Sequence, residues 1–79
     1  MTNYVQHIKD LEAIQLEAER MVQQKPVYWQ DVMRALNYRR WHIGLHFQEK
    51  HPYQGEHKKT WDVFLEREDK VAQYLAPYI

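Results

Sequence analysis

Two proline-bearing interruptions, Gln23-Gln24-Lys25-Pro26 and His51-Pro52-Tyr53-Gln54-Gly55, divide this chain of 79 residues into three stretches of similar length. Proline is accepted in the first turn of a helix but not in its interior, and it pushes the residue before it out of helical conformation. Each stretch is therefore a separate element, and each carries an apolar repeat of helical period. In the first, Tyr4, Ile8, Leu11, Ile14, Ala18, Met21 and Val22 recur at three- and four-residue steps, with Val5 and Leu16 off that stripe. In the second, Trp29, Val32, Met33, Leu36, Ile43 and Phe47 hold one phase. In the third, Trp61, Phe64, Leu65, Val71, Ala72, Leu75 and Tyr78 do the same, with Glu68 near the middle of the stripe. A carboxylate there must reach solvent or pair with a basic residue of a neighbouring helix, because an unpaired buried charge is costly.

The pattern predicts an all-α fold, a three-helix up-down-up bundle with helices over about 3–24, 27–50 and 58–76, forming a single domain over 1–79. Pro26 is expected to open the second helix, Thr60 to cap the third with Asp62 in its first turn, and Pro77 to stop it. No alternating β-branched run competes with this reading.

Composition bounds the rest. A chain this short hides only about 60% of the surface it would expose unfolded. Having no cysteine, it can use neither a disulfide nor a thiolate zinc site as a staple. Three Trp, six Tyr and two Phe supply the apolar surface instead. No run approaches the ~20 apolar residues of a membrane span, and Met1 to Asp10 lack the basic-then-apolar order of a secretion signal, so a cytoplasmic setting without membrane attachment is expected. Net charge is zero, although Arg20 to Lys59 holds eight basic residues against three acidic ones and both ends are acidic. That balance argues against a general polyanion binder.

Catalytic chemistry has little to stand on. Serine and cysteine are absent, no glycine-rich phosphate loop exists, and the carboxylates sit at helix-surface spacings beside opposite charges. The chain is read as a non-enzyme with no cofactor. His42 and His46, four apart, share a helical face with Glu49, the spacing by which two imidazoles and a carboxylate can meet one divalent ion, and His51 and His57 follow in the second connection. Set against this, helix-spaced His pairs are common, the pattern lacks the glutamate next to the first His of the HExxH type, and the two later residues fall in a proline- and glycine-bearing connection. The set is read first as an exposed polar stripe.

The second helix holds the informative surplus. Tyr38, Trp41 and Leu45 lie on roughly the opposite side from Leu36, Ile43 and Phe47, more apolar surface than a three-helix core requires. Either the first and third helices embrace the second from both sides, or the extra face docks a protein partner or a second copy. The docking reading assigns Arg34, Tyr38, Arg39, Trp41, His42 and Leu45 to the partner-binding surface, since Trp, Tyr and Arg dominate binding energy at interfaces. It makes the chain a small interaction module, such as a regulator, inhibitor or adaptor.

An alternative comes from Val32-Met33-Arg34-Ala35-Leu36-Asn37-Tyr38-Arg39-Arg40-Trp41-His42-Ile43, which resembles the helix-turn-helix of bacterial repressors, with Asn37 where the turn glycine stands. The resemblance implies a DNA-binding regulator in which Arg39, Arg40 and His42 open a recognition helix. It covers about one sixth of the chain by the span quoted. Met33 replaces the small residue of that pattern, no Ser or Thr caps the recognition helix, and the apolar phase runs through Asn37 without a slip.

Overall fold

A computed structural model describes residues 4–53 and 57–79. The expected start of the first helix at residue 3, and Gln54, Gly55 and Glu56 of the second connection, lie outside the described residues. Three α-helices, α1 (Tyr4–Gln24), α2 (Trp29–Lys50) and α3 (Lys58–Leu75), pack against one another, and a 3-10 turn over Ala76–Tyr78 follows. They form an all-α up-down-up bundle with principal extents of 46 × 19 × 17 Å.

Each helix buries the stripe its period predicts. Leu11, Ile14 and Ala18 of α1, Met33, Leu36 and Phe47 of α2, and Phe64, Val71 and Leu75 of α3 form one core. Tyr4, Ile8, Met21, Val22, Trp29, Val32, Ile43, Trp61, Tyr74 and Tyr78 pack around it. The rings of Phe47 and Phe64 stack at 3.8 Å and 9°, which ties α2 to α3, and Trp61 meets the edge of Phe47 at 4.8 Å. At the opposite end Trp29 packs edge-on against Tyr78 at 5.9 Å. Leu65, expected in the buried stripe of α3, is instead exposed, because it lies on the α2-facing flank where the two helices leave a groove.

The ends differ from expectation in detail. At the end of α1, Lys25 adopts a left-handed backbone (φ 45°) and its amide bonds the Met21 carbonyl at 2.8 Å, the terminating geometry usually given to glycine. Pro26 then sits in a turn closed by the Trp29 amide on the Pro26 carbonyl at 3.0 Å, so α2 begins at Trp29 and not at 27. Thr60 is the third residue of α3, not its cap; His57 holds the cap position and makes no side-chain cap hydrogen bond. Asp62 accordingly lies beyond the first turn. α3 ends at Leu75, two residues before Pro77, which opens no further α-turn but lies in the 3-10 turn.

Candidate functional site

α2 is one unbroken helix of 22 residues, about 33 Å at 1.5 Å per residue, and it passes through Asn37 without a turn. A helix-turn-helix needs two helices there. The resemblance to repressors therefore fails on geometry, and Arg39, Arg40 and His42 do not open a separate recognition helix. Asn37 uses its side chain differently, accepting a hydrogen bond from Arg40 Nε at 3.1 Å. The Arg40 guanidinium also donates to the Glu68 carboxylate of α3, and both side chains are largely covered. Glu68 thus takes the second of its two expected options, a basic partner on a neighbouring helix.

With one side of α2 in the core, the opposite side is left bare. Tyr38, Trp41 and Leu45 are 66%, 59% and 62% exposed, and the Tyr38 and Trp41 rings meet at 6.4 Å in a tilted edge contact. α1 and α3 do not embrace α2 from both sides; α1 instead lies against both of the others. Trp41 stands as a ridge between two shallow hollows. One, of about 310 Å³, runs between α2 and α3 and is lined by Gly44, Leu45, Trp61, Phe64 and Leu65, with the Arg40–Glu68 pair at its edge. The other, of about 220 Å³, is bounded by Arg34, Asn37, Tyr38 and Ile79. Both linings are chiefly apolar.

The basic residues of the expected surface divide between flanks. Arg34 is exposed on the same side as Tyr38 and Trp41, and its guanidinium lies 3.4 Å from Asp31 one turn earlier. Arg39 and His42 are exposed on the flank of α2 away from the hollow between α2 and α3, and the charge of Arg39 reaches Glu17 of α1. Glu17 is held below the usual carboxylate range, first by its hydrogen bond from Arg20 and further by the charges of Arg20 and Arg39. The six side chains therefore share a helix but not one compact site: Arg34, Tyr38, Trp41 and Leu45 form the stripe, and Arg39 and His42 border it.

His42, His46 and Glu49 are exposed, and among the described residues no three His, Cys, Asp or Glu side chains are grouped so that they could hold a metal ion. His51 departs from the expectation of a loop residue. It is buried at the cap position ending α2, where its amide bonds the Phe47 carbonyl at 2.8 Å and its own carbonyl accepts a hydrogen bond from Trp61 Nε1 at 2.6 Å. Its ring packs 4.8 Å from Phe47 and 5.3 Å from His7 of α1. Burial holds its pKa below the ordinary histidine value, and the neighbouring His7, His57 and Lys50 add to that shift. His7 was not singled out in the sequence, although it is in phase with Leu11, Ile14 and Ala18, a signal that places it on the core side of α1.

No family model, curated protein or solved structure matches this chain.

Proposed function

We propose that the protein is a small, non-enzymatic interaction module that docks a protein through the aromatic stripe of α2. The observation that carries this reading is the bare run Tyr38, Trp41 and Leu45. Isolated exposed apolar residues are ordinary, but a contiguous aromatic and aliphatic stripe with hollows on both sides is the form that interfaces take at their centre. Arg34 at the end of the stripe and Arg39 beside it supply the charged rim, which sets orientation more than affinity.

Site-specific photo-crosslinking in the cells that make the protein tests this. A photoreactive residue at Leu45 is expected to give discrete protein adducts that disappear when Trp41→Ala is added, whereas the same residue at Lys9, exposed on α1, gives none of them. Absence of adducts from Leu45, or the same adducts from both positions, would overturn the reading.

A further inference from the structure

We infer that the occupant of this stripe is a second copy of the chain, bound by an antiparallel α2-to-α2 contact whose two-fold axis passes between residues 41 and 42. The inference rests on the docking reading above and names its partner. In a two-fold interface the same patch serves both copies, so the patch must be complementary to itself. The stripe meets that condition in spacing, shape and charge.

Arg34, Tyr38, Trp41, Leu45 and Gln48 follow one another at steps of four and three, the spacing of the seam by which two helices pack side by side. Within this seam the apolar members are central and the polar members terminal. An antiparallel copy crossing at its middle lays Tyr38 of one chain toward Leu45 of the other and sets the Trp41 ridge beside the partner's hollow between α2 and α3. Gly44 forms part of that hollow, and a Cβ built on it would meet nothing within 4 Å. Glycine inside a helix is destabilising relative to alanine. Nothing within the chain requires it here, while a bare backbone at this point lets another helix approach closely.

Charge suits the antiparallel copy. Arg34 closes the stripe at one end, and Glu49, on the bordering flank it shares with His42 and His46, lies equally far on the other side of the midpoint between Tyr38 and Leu45, about 11 Å at 1.5 Å per residue. The two-fold brings Arg34 of each copy to Glu49 of the other, forming two opposite-charge pairs, with Asp31 remaining beside Arg34. Copies of a chain with zero net charge carry no general repulsion to overcome. The bare apolar surface is short, Tyr38, Trp41 and Leu45 with Leu65 and Ile79 beside them, so the association is expected to be weak and concentration-dependent.

Sedimentation equilibrium of the full chain from about 5 µM to about 1 mM, a range suited to a weak complex, reads this directly. The dimer fraction should rise across the range, and Trp41→Ala should weaken it by about tenfold or more. Arg34→Glu and Glu49→Arg should each weaken it by about tenfold, and the two together should restore it to within about threefold of the original chain. Circular dichroism should show unchanged helix content in all four, since the altered side chains are exposed. A monomer throughout, or a double variant no better than the single ones, would overturn the proposal. The photo-crosslink from Leu45 separates the two readings: an adduct of twice the chain's mass supports self-association, while adducts solely with other proteins from a monomeric chain reject it and leave the docking face standing. No adduct at all rejects both.

Discussion

Arg40 shows how one side chain can be misassigned when only its charge is visible. Placed beside Arg39 in the sequence, it reads as half of a basic pair available to a partner. In the folded chain a 100° step separates the two. Arg39 remains in solvent, while Arg40 turns toward α3, donates to Asn37 and Glu68, and is 15% exposed against 25% for its carboxylate partner. Removing one member of a covered pair leaves the other charge desolvated without compensation, a larger loss than removing a surface charge. Arg40→Ala should therefore lower unfolding stability by about 1–3 kcal/mol, less than a fully buried pair because solvent still reaches the edge of this one. Arg39→Ala should stay within about 0.5 kcal/mol, as surface substitutions do. Urea denaturation of the two variants makes the comparison, and equal losses would show that Arg40 contributes no more than a surface residue.

At the scale of elements, periodicity made the helices legible. Three stripes in phase with 3.6 residues give three helices, and the observed bounds fall within about two residues of those expected, the usual scatter of helix ends. α2 was harder to read because it carries two apolar sides, and period alone does not say which one meets α1 and α3. Phase favoured continuity through Asn37 without settling it, and the unbroken α2 decides the matter: Leu36 in the core and Ile43 packed against it keep one register across Asn37. The end of α2 was illegible for another reason. His51 stands next to Pro52, which marks a connection, but its burial depends on Phe47, Trp61 and His7 arriving from three different helices. Continuity of α2 can be tested at its centre. Asn37→Pro removes an intrahelical hydrogen bond and sets the ring against the preceding turn, at a cost of about 3 kcal/mol or more in a helix interior. A loss below about 1 kcal/mol in urea denaturation would be incompatible with a helix running through this position.

For the whole molecule, a chain this short is expected to have a thin stability margin, which makes the place where the three helices meet important. A domain of this length is expected to hold about 4–12 kcal/mol against unfolding, at about 0.05–0.15 kcal/mol per residue. The cluster of Phe47, His51, Trp61 and Phe64, with His7 of α1 against it, joins all three helices at one end, so a change in charge there acts on the global fold. His51 is the group whose titration matters. Its neighbours are themselves basic or titratable, namely His7, His57 and Lys50, and burial disfavours its charged form. Its folded pKa is thus below its unfolded value of 6.5. Well above pH 6.5 both states are neutral at this residue and its contribution is intact. As the pH falls below that value the unfolded chain binds a proton that the folded chain still refuses, and stability declines until the folded pKa has been passed. The urea midpoint should therefore drop between pH 7.5 and pH 5.5, about one unit to either side of the unfolded value. His51→Gln, which cannot titrate, should flatten that slope even if it lowers stability at every pH. His42→Gln, altered at an exposed histidine, should leave the slope as it is. A slope unchanged by His51→Gln would mean that acid acts elsewhere in the chain and that the closed end of the bundle tolerates a charge at residue 51.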